Sequence, residues 1–413
     1  MKAVQDISGQ IQRHDLVNQD VDLSNAKIMV VDDSPLIREL IGACLMTDNY
    51  KNITFAEDGR KALDAINEEK PDLIILDLEM PVMDGFELCK ILRERPDTAA
   101  IPILIQSGRD TAADITRAFD YGASDMVVKP IKKFEILART KVHLQKNFLM
   151  GKLLSYHDRV AQELEQAKQL QLDICPSSEE LRGIEKQFGV KVGWHYEPSS
   201  ELGGDIGGIF PISDSKVAFF MADFSGHGVA AALNTFRMQT WLSGETELFT
   251  EPDKLLNKLN NFLHKNLPRG SYATMLFCCL DQNDQSITYA SAGCQPPLLM
   301  EAGPEKTFEL CNSRGMPLGL RENWTYSKSN IPFEQGAKFL VYSDALVEVH
   351  VNEDQQLGEE GLRKEATELW KTNPTPAKGL NKLVQNFKGR LSGEAPDDLT
   401  IIYLENLHEF ASN

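Results

Sequence analysis

Acids, a hydroxyl and a base follow a series of short apolar runs in the N-terminal part of the chain. Asp32 and Asp33 come after Ile28 to Val31, Asp77 after Leu73 to Leu76, Ser107 after Ile103 to Gln106, and Lys129 with Pro130 after Met126 to Val128. If these runs are strands of one parallel sheet, their C-terminal ends share an edge, which is where an open α/β sheet builds its site. Three carboxylates on one edge repel each other unless a hard cation such as Mg2+ sits among them. With that ion present, Asp77 is a nucleophile toward a phosphoryl donor, Lys129 a counter-charge for the phosphoryl oxygens, and Ser107 a hydrogen-bond donor to them. Taken singly, a strand-end aspartate is usually a solvated cap and a lone lysine a surface residue. The joint spacing carries the reading.

A second set of acids is scattered over the C-terminal half, each beside glycine or at the end of an apolar run. They occur in Gly203-Gly204-Asp205, Ala222-Asp223-Phe224-Ser225-Gly226-His227-Gly228, Tyr342-Ser343-Asp344 and Pro396-Asp397-Asp398-Leu399-Thr400. Glycine lets the backbone approach a ligand closely, and an aspartate at a strand mouth is held rigidly. Oxygen ligands without His or Cys pairs suit Mg2+ or Mn2+ and not zinc. Two such ions would clamp a phosphate and activate water for in-line attack, so no protein nucleophile is required. A single loop aspartate is ordinarily satisfied by its own turn, but four in series are less easily dismissed.

The elements that must position these groups fall into three segments. From about Lys27 to Leu144, five Val-, Ile- and Leu-rich runs, the four above plus Ile53 to Ala56, alternate with amphipathic stretches. Near-continuous apolar content suits strands buried on both faces of a parallel sheet, hence a doubly wound α/β domain. Pro35 to Thr47 reads as a helix with Ser34 as N-cap and proline at the first position, its apolar stripe drawn through Leu36, Leu40 and Cys44. From Lys146 to Ile174 there is no proline, and Leu149, Leu153, Tyr156, Val160, Leu164, Ala167 and Leu170 recur every three or four residues. This predicts one long helix, stopped by Pro176, Ser177 and Ser178, that serves as a rigid spacer or as a dimerising, signal-passing seam. From Val190 to Glu405 the texture becomes Gly-punctuated β runs: Lys216 to Ala222, Tyr272 to Leu280, Ser286 to Ser291, Phe339 to Tyr342 and Leu399 to Leu404. Helical stretches lie near Gly228 to Leu242 and Pro252 to Leu267, so an α+β layered domain with antiparallel sheets is expected.

Composition narrows the function classes. Lys and Arg number 43 against 61 Asp and Glu, a formal charge of −18, which repels nucleic-acid phosphates and anionic lipid. No apolar run reaches the roughly 18 residues of a membrane helix, and the start lacks the apolar core of a signal peptide, so a cytoplasmic location is expected. The seven cysteines (Cys44, Cys89, Cys175, Cys278, Cys279, Cys294, Cys311) are scattered without a C-x-x-C pair and read as reduced thiols.

The first segment resembles the receiver domain of two-component response regulators, through VVDDS at 30–34, LIILDLEMPVMDGFEL at 73–88 and VKP at 128–130. The resemblance implies phosphorylation of Asp77 by a partner histidine kinase and one Mg2+ held by Asp33 with Asp32 assisting, by Asp77 and by the backbone carbonyl of Glu79. Ser107 and Lys129 are then the switch residues, and the bond before Pro130 is cis. One departure is Met126, which stands where the family usually has a swinging aromatic on the fifth strand.

The third segment resembles the metal-dependent PPM serine/threonine phosphatases of the bacterial sporulation and stress-response branch. SSELGGDIGGIF, ADFSGHGVAAAL, YATMLFCCLD, ITYASAGCQPPLL, GMPLGL, FLVYSDALVE and PDDLTII carry the likeness, and AKQLQLDICP at 167–176 looks like the helix that enters the domain. The resemblance implies two Mn2+ or Mg2+ ions: Asp223 bridges both, the Phe224 carbonyl and Asp205 serve one, and Asp344 and Asp397 the other. Asp398 lies one residue off the ligand position, and His227 reads as a structural residue or a support to the metal ligands, with a general acid as the alternative. Gly208 replaces the second acid of the family's GGD-x-x-D, Ala345 replaces the glycine after Asp344, and Cys294 stands where AGH is usual.

These readings assign 1–26 to a flexible tail, 27–145 to the receiver, 146–176 to a helical linker and candidate coiled coil, and 188–405 to the phosphatase domain. The expected function is a response regulator whose receiver controls a phosphoprotein phosphatase, the substrate by family analogy an anti-sigma-factor antagonist in a partner-switching pathway. The competing expectation is a catalytically inactive phosphatase-like adaptor that binds a sigma factor or other regulatory partner. Neither direct nucleic-acid contact nor membrane contact is expected, and a homodimer through the linker helix is a candidate assembly.

Overall fold

The computed structural model describes residues 22–108, 112–226, 228–303, 306–352, 355–372, 376–391, 393 and 395–407. Most of the expected tail, residues 1–21, and His227 lie outside them. The chain divides into two compact units near Arg159 and Val160.

The first unit alternates β1 (Lys27–Val31), α1 (Pro35–Thr47), β2 (Asn52–Ala56), α2 (Gly59–Glu68), β3 (Leu73–Asp77), α3 (Gly85–Glu94), β4 (Ile103–Ser107), α4 (Ala112–Asp120), β5 (Asp125–Val128) and the start of α5 (Lys133–Leu172). The five strands form one parallel sheet in the order β2-β1-β3-β4-β5. Successive side chains of β1 point to opposite faces, Met29 and Val31 into one core with α2 and α3, Ile28 and Val30 into the other with α1 and α5. Central strands β3 and β4 are buried throughout, as their apolar runs predict, but edge strand β2 leaves Phe55 exposed. On α1 the expected stripe is also revised: Leu36 is 75% and Leu40 48% exposed, while Ile41, Gly42, Cys44 and Leu45 face the sheet. Ser34 occupies the N-cap position without a side-chain cap bond. Leu23 and Ala26, placed by sequence in the tail, pack beside β1.

The long helix begins earlier than its sequence pattern indicated. It is continuous from Lys133 and ends at Leu172, short of Pro176. Leu149, Leu153 and Tyr156 of its seam are exposed. Ser177, read as a helix stop, instead caps a further helix, α6 (Ser178–Phe188): it accepts from Glu180 N–H while the Glu180 carboxylate accepts from Ser177 N–H.

The second unit continues with β6 (Val190–Glu197), β7 (Asp205–Pro211), β8 (Lys216–Phe224), α7 (Val229–Ser243), α8 (Pro252–Asn266), β9 (Ala273–Asp281), β10 (Ser286–Ala292), β11 (Leu298–Met300), β12 (Glu309–Leu310), β13 (Lys328–Pro332), β14 (Lys338–Tyr342), α9 (Ala345–Glu348), β15 (His350–Asn352), β16 (Gln355–Gln356), α10 (Gly358–Thr372), α11 (Pro376–Arg390) and β17 (Leu399–Asn406). Two antiparallel sheets, β13-β10-β9-β8-β7 and β12-β11-β14-β17-β6, carry the fold. Alternation along β8 shows the layering: Val217, Phe219 and Met221 enter the core between the sheets with Phe339, Val341 and Ile402. Ala218, Phe220 and Ala222 point the other way, onto α7 and α8. The outer face of the second sheet is covered in the same manner by α10 and α11, through Leu362, Trp370, Leu383 and Phe387. The result is the α+β layered domain that the antiparallel runs predict.

Candidate functional site

In the first unit, the sheet order places β1 and β3 side by side, so Asp32 and Asp33 at the end of one meet Asp77 at the end of the other. One ligand atom of each lies within 4.8 Å of the others. Asp32 is fully buried and Asp77 nearly so, while Asp33 is exposed. The Lys129 ammonium reaches them from the end of β5, at 2.8 Å from Asp77 Oδ2 and 3.4 Å from Asp32 Oδ2. Burial drives the Asp77 carboxyl above the ordinary range, and Asp32 adds to the rise; Lys129 opposes both without cancelling them. Burial also disfavours the Lys129 charge, but there the attraction of Asp77 wins and its pKa is raised. The ammonium is thus secure, and the carboxylates still repel each other, which a hard cation on this oxygen-only triad would relieve.

Neighbouring backbone fixes these side chains. Leu78 N–H donates to Asp77 Oδ1 at 2.9 Å and Ser34 N–H to Asp32 Oδ1 at 2.9 Å. Gly85 must be glycine, because a Cβ there would fall on the Asp77 carbonyl oxygen. Lys129 N–H donates to the Ser107 carbonyl at 2.8 Å, and Lys129–Pro130 is cis. Asp77, Ser107 and Lys129 open onto a cavity of about 240 Å3, with Phe86 and Arg117 on its rim. Glu79, whose carbonyl the family resemblance assigns to the ion, lines the same cavity.

In the second unit, four distant segments converge at the ends of β7, β8, β14 and β17. Asp205 and Asp223 are directly opposite each other in the β7–β8 ladder. Asp344 follows β14, and Asp397 and Asp398 precede β17, which pairs with it. Ser343 ties these two loops: its N–H donates to the Thr400 carbonyl, its hydroxyl to the Asp398 carbonyl, and Thr400 N–H donates back to that hydroxyl, each at 2.9 Å. Thr400 Oγ1 donates to Asp205 Oδ2 at 2.5 Å, joining the second sheet to the first.

The pKa values of Asp205, Asp223 and Asp344 are raised by burial and by neighbouring carboxylates. Burial, then Asp344 and Asp397, push Asp223 up to about 7. Burial, then Asp397, push Asp344 up to about 6. Asp205, 2% exposed, is driven well above the ordinary range by burial, Asp223 and Asp398. Among the described residues, Asp32, Asp33 and Asp77 form the one group of three acids whose ligand atoms lie within 4.8 Å of each other, so this second set is spaced more widely. A second observation bears on cation fit. The spot that a Cβ on Gly204 would fill is lined by the Phe224 carbonyl at 2.8 Å, the Gly226 carbonyl at 3.1 Å and Asp223 Oδ1 at 3.3 Å. Three converging oxygens beside repelling carboxylates suit a hard divalent ion.

Asp398, read from sequence as an off-ligand neighbour, is a buried scaffold. It accepts from Ser199 N–H at 2.7 Å, Ser199 Oγ at 3.0 Å, Gly204 N–H at 2.6 Å and Asp205 N–H at 3.2 Å. Asp397 is exposed and accepts from Asp398 N–H at 2.8 Å. Sequence reasoning missed the parts of Ser199, Ser343 and Thr400, although all three stand inside quoted motifs. Of the family departures, Gly208 sits against aromatic rings, where an added Cβ would lie 2.7 Å from Phe220 and 2.9 Å from Phe210, and Ala345 is buried. Burial and Asp205 push the Cys294 thiol up, so it is held protonated beside the acids.

Among the described residues, no helix is long and apolar enough to cross a membrane. The family model for the response regulator receiver domain matches residues 28–141, and that for Stage II sporulation protein E matches residues 213–406. Curated relatives include response regulator MprA of Mycolicibacterium vanbaalenii, 38% identical over 120 residues, covering 29% of this chain and 51% of MprA. Transcriptional regulatory protein YvrH of Bacillus subtilis is 36% identical over 126 residues, covering 30% of this chain and 52% of YvrH. The chain thus spans about half the length of the curated relatives it matches. The solved SiaA-PP2C domain of Pseudomonas aeruginosa matches with a TM-score of 0.52 and 16% identity over 61% of this chain and 98% of that domain, a likeness of fold. The chain therefore joins a response regulator receiver domain to a PPM-type phosphatase domain of the Stage II sporulation protein E family.

Proposed function

We propose that this protein is a response regulator phosphorylated on Asp77 by a histidine kinase, and that its receiver controls a metal-dependent protein serine/threonine phosphatase. The observation that carries the reading is the convergence of Asp205, Asp223, Asp344 and Asp397 from four distant segments, close enough that burial and the neighbouring carboxylates raise the pKa of Asp205, Asp223 and Asp344. In the receiver, an Asp77 oxygen attacks the phosphorus of the donor; the bond from phosphorus to the donor breaks, its electron pair leaves with the donor, and Lys129 and Ser107 take up the phosphoryl oxygens.

In the second unit, divalent ions, Mn2+ or Mg2+, would neutralise the phosphate and lower the pKa of the attacking water. The chain's own residues set the geometry for this: Asp223, Asp205 and the Phe224 carbonyl on one side, Asp344 and Asp397 on the other, with Thr400 and Asp398 orienting Asp205 and its loop. The substrate in this reading is a phosphoserine or phosphothreonine protein, an anti-sigma-factor antagonist by analogy with the family. The exposed Leu149, Leu153 and Tyr156 support pairing of two chains through α5. Light scattering of the chain with and without beryllofluoride tests that pairing.

Purified protein with Mn2+ and a phosphoserine protein substrate tests the enzyme. Phosphate release that Asp223→Asn abolishes supports it. One observation favours the adaptor reading, the wider spacing of the second acid set. Absence of turnover with every metal and phosphodonor, alongside intact phosphorylation of Asp77, would establish that reading instead. If Asp77→Ala still took up label from acetyl phosphate, the acceptor assignment would be wrong.

A further inference from the structure

Among the described residues, the phosphoacceptor cavity is lined by a second cation besides Lys129. Arg117, in the last turn of α4, has its guanidinium 4.3 Å from the ring centroid of Phe86 and 5.7 Å from that of Tyr121. The two rings meet edge to face, with centroids 5.0 Å apart. Phe86 is on α3 and Tyr121 follows α4, so this stack bridges the two helices beside the acceptor. Arg117 and Phe86 line the same cavity as Asp77, Ser107 and Lys129.

We propose that Arg117 is a phosphoryl-binding residue held in reserve on an aromatic perch, and that it leaves Phe86 and Tyr121 for the phosphoryl oxygens when Asp77 is modified. The inference rests on the reading of Asp77 as acceptor and deepens it. Before modification, the Lys129 ammonium already serves two carboxylates, at 2.8 and 3.4 Å. Phosphorylation replaces one of those carboxylates by a group with three acceptor oxygens and up to about two negative charges. Three phosphoryl oxygens offer more acceptor sites than the Lys129 ammonium, the Ser107 hydroxyl and one divalent ion take up together. A guanidinium presents a planar fork that binds such oxygens two at a time, a stronger contact than an exposed cation–π stack. Its departure unlocks the Phe86–Tyr121 contact and frees α4 to move against α3.

The test uses the full chain, 15N-labelled, with Mg2+ and beryllofluoride as the phosphoryl mimic. The Arg117 Nε–Hε resonance, assigned by its loss in Arg117→Ala, is expected to move on beryllofluoride binding. The apparent affinity for beryllofluoride falls at least about fivefold in Arg117→Ala and less in Arg117→Lys. In Phe86→Leu, which removes the nearer ring of the perch, it rises about twofold. Circular dichroism establishes that each variant is folded. If the wild type binds no beryllofluoride, or Asp77→Asn binds it equally well, the acceptor reading fails and the inference with it. If the wild type binds it through Asp77 while the Arg117 resonance stays put and Arg117→Ala keeps full affinity, the acceptor stands and the role of Arg117 is overturned.

Discussion

In the first unit Asp77 already touches a cation, Lys129 at 2.8 Å, whereas in the second the influences that follow burial on Asp223 are all carboxylates: Asp344, Asp397 and Asp398. The difference lies in how each cluster is built. The receiver acids come from adjacent strand ends of one sheet, and a lysine from a third strand end partly neutralises them before any ion arrives. The phosphatase-type acids come from two sheets, are spaced more widely, and are held by neutral hydrogen bonds from Thr400, Ser343 and Ser199. A site of the first kind carries its own counter-charge, which suits the single covalent event proposed for it. A site of the second kind has only like charges beside Asp223, so divalent ions would relieve its repulsion, and in the proposed phosphatase metal occupancy would be the lever on turnover.

Separate variants should break the two sites independently. Asp223→Asn is expected to lower phosphoserine hydrolysis on the order of a thousandfold, judged by initial rates of phosphate release, while beryllofluoride binding at Asp77 stays at the wild-type level. A parallel loss at both sites would contradict their independence. Next in size is Asp398→Ala, which strips Ser199, Gly204 and Asp205 of a shared acceptor. Calorimetry should show the second unit destabilised by about 3 kcal/mol with the receiver transition unchanged. Lys129→Ala leaves the buried Asp32 and Asp77 uncompensated, a loss of about 2 kcal/mol in the receiver transition that millimolar Mg2+ largely restores. If Mg2+ made no difference, these acids would not share the ion. The smallest effect belongs to Thr400→Val: the Asp205 carboxylate loses its orienting donor, and Mn2+ affinity of the second unit, read by electron paramagnetic resonance titration, falls about tenfold.

How far the sequence revealed all this depended on the kind of signal. The parallel sheet was readable because Leu73–Leu76 and Ile103–Gln106 are apolar at every position, as burial on both faces requires. On α1 the same logic failed, since Leu36/Leu40 and Ile37/Ile41/Leu45 are both apolar stripes at helical spacing. Only the direction in which β1 feeds the helix selects the second. Pro176 and Ser177 looked like a stop, although Ser177 with Glu180 spells the capping box that starts α6. The candidate ligands were legible as motifs, but Asp397 and Asp398 are chemically identical neighbours. It takes the fold to show that one is exposed and the other buried among four donated hydrogen bonds. The Arg117 stack had no sequence signal at all, because it joins the start of α3 to the end of α4.

The most direct measurement is a crystal structure of the full chain soaked in Mn2+, with anomalous scattering used to place the ions. Peaks are expected about 2.1 Å from the carboxylate oxygens of Asp223, one of them shared with Asp205 and the Phe224 carbonyl and one on the side of Asp344 and Asp397. Manganese bound at Asp33 and Asp77 but absent between Asp205, Asp223, Asp344 and Asp397 would contradict a metal-dependent phosphatase in the second unit.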